Sequence, residues 1–222
     1  MKWKTVQSGK KATRRKFPQQ SPDLSVRWCS GYLKIDVCSC AIRNQERFKG
    51  IRTLVLSGER GEESPQRAKY PVFEPDRADL RNGKAFQRHV DRLRPVRDWK
   101  EAEVWAIIEK YRVRVHPCYY MGWGRCSCKF CIFANRNQFA SAARISPLIA
   151  VEIIDYEIEF GCTINRQYDL PALIQTGTAY KSITEELIDL ATSYNYDQLV
   201  IIPESEPWLL PAGAFSENCG VP

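Results

Sequence analysis

Four cysteines fall within the segment HPCYYMGWGRCSCKFCIFA, His116 to Ala134, at positions 118, 126, 128 and 131. No other feature limits the possible folds so strongly. A stretch that offers several thiols to one point must turn back on itself, and Gly122 and Gly124 supply the turning positions. Thiolates are the soft ligands that zinc and iron-sulfur centres take, so the segment is a candidate metal- or cluster-holding loop. A lone free cysteine is usually a small buried apolar group. A Cys-x-Cys-x-x-Cys run is better explained as a ligand set.

The bulk properties fit that reading. The 222 residues can bury one sizeable core with additions. Nine cysteines, with no apolar N-terminal segment and no membrane-length apolar run, argue against a secreted disulfide scaffold and against a spanning helix. A reducing cytoplasm is the expected setting, with no membrane partner. The formal charge of +7 is concentrated at one end: Lys2, Lys4, Lys10, Lys11, Arg14, Arg15 and Lys16 fall before residue 18 with no acid among them. The other 26 basic residues are matched by 26 acidic ones. Such an arm can touch a nucleic-acid backbone or an acidic partner, or can simply be solvated.

Residues 1–25 read as this basic arm, punctuated by Pro18 and Pro22. From Trp28 to Arg47 the spacing of Leu33, Val37 and Ala41, with Tyr32 and Ile35, predicts a helix with an apolar face, and Lys34 to Val37 also fits a strand. RTLVLSG at 52–58 predicts a buried strand that delivers the loop GERGEESPQRAKY, at the strand end where open α/β sheets carry their ligand-binding residues. Residues 74–97 mix arginines with acids and read mostly as a solvated face. A helix is predicted from Asp98, with Glu101 in capping-box position, and another from Ser146-Pro147 to Gly161. Shorter helices are expected at 169–175 and from Ser182, and a strand at 198–203.

Three stretches in order, RWCSGYLKID at 27–36, VLSGERGEESPQRA at 55–68 and the run from Arg94 to Ala134, resemble the phosphoadenosine phosphosulfate reductase family. The similarity covers roughly residues 14–160 and is greatest to the phage and bacterial branch, related to the sulfurtransferases of DNA phosphorothioation. It implies an α/β fold: a partial adenine-nucleotide α-hydrolase-like parallel sheet with flanking helices, plus a mostly helical extension. Residues 26–145 would form the reductase-like domain and 146–222 the helical extension and tail. The resemblance implies that Gly58, Arg60, Glu63 and Ser64, with Arg67 following, lie by the phosphates of an adenine nucleotide or sulfonucleotide. A guanidinium forks onto phosphate oxygens, and glycine permits close approach. It also implies a 4Fe-4S cluster held by Cys29 with Cys128 and Cys131, the fourth ligand left open between Cys126, Cys118 and the pair Cys38 and Cys40. Zinc is the alternative for the same thiols.

Two departures shape the functional expectation. Relatives open with an apolar strand and a Ser-Gly-Gly-Lys-Asp-Ser phosphate loop, which no stretch of this sequence supplies. The resemblance is thus to a C-terminal part, completed by a partner subunit carrying the phosphate loop or by a homo-oligomer. Near the end, SENCGVP only loosely matches the family's Glu-Cys-Gly nucleophile motif. Cys219 is the catalytic candidate there, beside the plain reading of a free terminal cysteine. Two functions follow: a sulfonucleotide reductase or ATP-dependent sulfurtransferase subunit, or a non-catalytic metal-stabilised module that binds nucleic acid or a protein. Only two histidines, His89 and His116, are present, and they suggest no multi-histidine site.

Overall fold

The computed structural model describes residues 14–21, 23, 25–84 and 86–216. Most of the basic arm and Cys219 lie outside the described residues. The chain divides into two compact units, one made of Arg14 and residues 21–100, the other of residues 15–20 and 101–216. No helix among the described residues is long and apolar enough to cross a membrane.

In the first unit, helices α1 (Trp28–Ser30) and α2 (Asp36–Asn44) are joined by a π-helical stretch, Gly31–Ile35, so that 28–44 runs on as one helix with a wide turn inside it. A π turn inserts an extra residue and rotates everything beyond it by about 100°. The expected inner face is therefore broken. Leu33 and Val37 are exposed, and the buried positions are Ser39 and Ile42. Strand β1 (Arg52–Leu56) forms where the apolar run predicted it, but it is not buried: Leu54 and Leu56 are exposed, because the three-stranded sheet leaves one of its faces uncovered there.

The sheet is small, unclosed and mixed rather than parallel. Its order is β1-β3-β2, with β2 at Phe73–Pro75 and β3 at His89–Leu93. β1 and β3 pair in parallel from Arg52↔His89 to Leu56↔Leu93, whereas β2 runs antiparallel to β3. β2 and β3 are joined by the segment 76–88, in which the antiparallel bridge Leu80↔Arg88 carries the pairing further. Ile42, Ala78 and Val90 form the core of this unit, with Phe48 and Val55 packed on it.

The central strand β3 lies inside the stretch expected to be a solvated face. Its charges are paired instead. The buried Asp76 carboxylate accepts from Arg92 Nε at 2.9 Å and Nη2 at 2.6 Å. Arg81 joins Asp79 and Asp91. Arg94, with a side chain only 5% exposed, donates to Glu59 and Glu74, each at 2.6 Å, and to the carbonyl of Pro71. Such pairing lets a charged strand sit in the middle of a sheet.

The second unit is helical: α3 (Glu101–Lys110), α4 (Pro117–Tyr120), α5 (Arg136–Ile145), α6 (Pro147–Phe160), α7 (Leu170–Thr176) and α8 (Glu185–Thr192). α3 begins three residues after Asp98, whose carboxylate is taken by Arg97. α6 ends as predicted at Gly161, in the left-handed region at φ 64°. α7 is capped by Asp169, and α8 starts at Glu185 with Thr184 rather than Ser182 as its cap. The strand predicted at 198–203 is reduced to a bridge, Val113↔Ile201. Met121, Trp123, Ala142 and Ile183 make one core cluster. Gly177 lets α7 close on the start of α5, where a Cβ would come within 2.2 Å of the Arg136 carbonyl oxygen.

Candidate metal centre

The cysteine segment is folded back by α4. His116 caps this short helix, its Nδ1 accepting from the Cys118 N–H at 3.1 Å, and Pro117 fills the first turn. The chain then reverses at Gly122, whose φ of +109° suits glycine alone, and Trp123 N–H donates to the Cys118 carbonyl at 3.0 Å. Cys126 N–H reaches the Tyr119 hydroxyl at 3.3 Å. The C-terminal tail lies against this turn: Gly213 N–H donates to the Tyr119 carbonyl at 2.7 Å, and a Cβ at 213 would meet the Trp123 carbonyl oxygen at 2.1 Å.

This folding brings ligand atoms of His116, Cys118 and Cys126 within 4.8 Å of one another. In tetrahedral zinc sites the donors stand roughly 3.5–3.8 Å apart, so a small contraction suffices. The Cys118 thiol is pushed far above its usual range, first by its hydrogen bond with the Cys126 thiol and then by burial. Two adjacent thiols of this kind share their protons until a cation compensates the second negative charge. The donor set, one imidazole and two thiols, fits a borderline divalent metal and leaves one coordination position open. None of the eight described cysteines is in a disulfide.

Of the thiols proposed as ligands from the sequence, Cys118 and Cys126 are in this group. Cys128 is exposed two residues further on, and the Cys131 sulfur accepts from Arg125 at 3.3 Å. Cys29, on α1, belongs to the first unit, whereas Cys128 and Cys131 belong to the second. Sequence reasoning missed His116 because it looked for several histidines together. The usable signal was His-Pro-Cys, a cap residue two positions before a thiol.

The loop after β1 holds Gly58, Arg60, Glu63, Ser64 and Arg67 together, but its charges are engaged with one another. Arg60 Nη1 pairs with Glu62 at 2.7 Å and its Nε lies 3.6 Å from Glu63. Arg67 pairs with Glu63, and its N–H donates to the Ser64 hydroxyl at 3.3 Å. Gly58 has open space around its Cα. Gly61 N–H is held by the Arg97 carbonyl at 2.8 Å.

A family profile described as "Phosphoadenosine phosphosulfate reductase domain" matches residues 1–170. The chain belongs to the phosphoadenosine phosphosulfate reductase family. Among relatives of this family, the chain is 29% identical over 136 residues to an uncharacterized 37.8 kDa protein in the gpa 5' region of Escherichia phage 186, covering 61% of this chain and 39% of that protein. It is 33% identical over 95 residues to the adenosine 5'-phosphosulfate reductase of Allochromatium vinosum, covering 41% of this chain and 34% of the enzyme. With the enzyme of the same name from Burkholderia cepacia the identity is 32% over 100 residues, covering 44% and 36%. The match thus spans between a third and two fifths of these relatives' lengths. No solved structure matches. The family match covers the small α/β sheet and the loop that follows β1.

Proposed function

We propose that this member of the family is a metal-stabilised binding module, in which His116, Cys118 and Cys126 hold one divalent ion of the zinc type as a structural clip. The observation that carries this reading is the convergence of the three ligand atoms on one another, in a turn already braced by α4 and the tail. Cys128, exposed and two residues from Cys126, is the candidate for the fourth position. A bound ion supplies the positive charge that both thiols need in order to ionise together. His116 keeps its ring seated over the helix start, and Tyr119 holds Cys126 to the turn. The engaged arginines of the Arg60 loop also favour binding over turnover, since a phosphate would have to displace carboxylates of the same loop.

A second reading is supported by the two relatives named adenosine 5'-phosphosulfate reductase. Here the chain is a sulfonucleotide reductase or ATP-dependent sulfurtransferase subunit. Cys29, Cys128 and Cys131 hold a 4Fe-4S cluster with Cys118 or Cys126, the Arg60 loop binds nucleotide phosphate, and a partner chain carries the phosphate loop. Cys219 is the thiolate nucleophile of this reading.

Anaerobic purification followed by zinc, iron and sulfide assays separates the two. The first reading expects about one zinc per chain, and cobalt substitution should give intense visible bands with thiolate charge transfer, both lost in Cys118→Ser and Cys126→Ser. About four irons with sulfide per chain would replace it by the second reading. Metal-free protein with all thiols titratable would sink both.

A further inference from the structure

Two of the three candidate ligands are thiols held against each other. Cys118 stands on α4, and Cys126 opens the stretch 126–128, which lies outside any helix or strand. Their side chains are joined by a hydrogen bond, their sulfurs lie within 4.8 Å, and neither is in a disulfide. A disulfide needs Cβ atoms roughly 3.5–4.5 Å apart and sulfurs at about 2 Å. The remaining approach falls to Cys126, which can shift without breaking an element. The turn between the two is already closed. Met121 N–H donates to the Pro117 carbonyl at 3.1 Å, Gly122 N–H to the Tyr119 carbonyl at 3.2 Å, and Trp123 N–H to the Cys118 carbonyl at 3.0 Å. Joining the sulfurs therefore costs little further chain entropy.

Access divides the pair. Cys126 is exposed, whereas Cys118 is half-buried, so an oxidant in solution meets Cys126 first and finds Cys118 behind it. Oxidation of the pair takes two of the three donors at once. His116 is then left alone, and one imidazole does not retain an ion of the zinc type. The sulfurs of Cys40 and Cys131 are engaged differently: they accept from Asn44 and Arg125, each at 3.3 Å.

We infer that Cys118 and Cys126 form a reversible disulfide that expels the metal, making the clip responsive to peroxides. The Cys126 thiolate attacks the O–O bond of a hydroperoxide ROOH and, with one proton, gives the sulfenic acid Cys126–SOH and ROH. The Cys118 sulfur then attacks the Cys126 sulfur. With a second proton the hydroxyl leaves as water and the S–S bond forms. The two thiolates thus give two electrons to the peroxide, and the ion departs with its oxidation state unchanged. A small thiol reverses the step by exchange, two RSH entering and RSSR leaving. The inference names the regulation of the metal clip proposed above and rests on that reading for its ion, though not for its disulfide.

The test treats the full chain, loaded with zinc, with hydrogen peroxide. Released zinc is read by a chromogenic chelator, and disulfides are mapped by mass spectrometry of peptides cut without reduction after free thiols are blocked. The expected result is release of about one zinc per chain in step with a Cys118–Cys126 bond, and reuptake of zinc after dithiothreitol. Cys128→Ser should still form the bond, because Cys128 is no part of the pair. His116→Ala should form it with less zinc to release. Zinc retained under peroxide would overturn the inference. So would a bond joining Cys128 to Cys126 or Cys131 instead, or sulfinic acid with no disulfide. Mapping the same bond on metal-free chain separates the two readings: a Cys118–Cys126 bond in a chain that takes up no zinc upholds the pair and sinks the clip, whereas bound zinc with no such bond sinks the switch alone.

Discussion

Glu157 shows how much a single side chain carries in the second unit. It is buried on α6, and its two carboxylate oxygens accept from the N–H groups of Ile164 and Leu170 at 2.8 and 2.9 Å, tying two loop segments to the helix. Nothing in the pattern of α6 marks it, because a glutamate on a helix normally faces solvent. Glu157→Ala would strand two buried donors, and urea unfolding should register a loss of about 3 kcal/mol. At the cysteine segment, the sequence put Cys29, Cys128 and Cys131 first and offered Cys118 and Cys126 only for a fourth position, whereas the structure groups Cys118 and Cys126 with His116, the cap of α4. His116→Ala should therefore weaken zinc binding at least tenfold while leaving the helical circular dichroism intact, as read by competition with a chelating dye.

Among the elements, β3 is the one whose character was misread. Its alternation of charges looked solvated, yet Asp91 and Arg92 each pair with a neighbouring segment, through Arg81 and Asp76. Asp79, on the segment between β2 and β3, sets an acid limit on stability. Asp79 is held at about pH 2 by the hydrogen bond from Arg81, with the Val90 N–H adding to it. Its unfolded value lies near ~3.9, so the folded value is depressed. The stabilisation is complete above about pH 4 and is lost as pH falls towards 2. Thermal unfolding followed between pH 5 and pH 2 should show a steeper decline for the wild type than for Asp79→Asn, which lacks the titrating group. The α5–α7 contact makes a different prediction. Gly177→Ala drives a methyl into the Arg136 carbonyl and should cost about 1–3 kcal/mol by urea unfolding, or displace α7.

At the scale of the whole molecule, the sheet stops short. Leu56, Leu93 and Phe73 face each other across all three strands in register, and Leu56 and Phe73 are 65% and 56% exposed. β1 pairs only with β3, so its outer edge is unpaired among the described strands. An apolar row beside a free edge is a surface on which another strand can build. The chain on its own should associate as its concentration rises, and Leu56→Lys should suppress this in sedimentation velocity. Unchanged association would show that the row is not the contact surface.

The sequence by itself determined the local decisions, because they depend on neighbours within a turn or two: β1 as an apolar run closed by glycine, α6 between Ser146-Pro147 and Gly161, the short helix near 169–175, and the thiol-rich turn at Gly122. The family was legible too, since its three motifs stand in order along the chain. What only the tertiary structure decided depends on partners distant in sequence. The antiparallel β2, the central place of β3 and the capture of Arg94 by Glu59 and Glu74 all follow from which segments and charges meet in space. The π turn likewise rotated a correctly predicted helix and exchanged its buried face, because one inserted residue outweighs a 3.6-residue period.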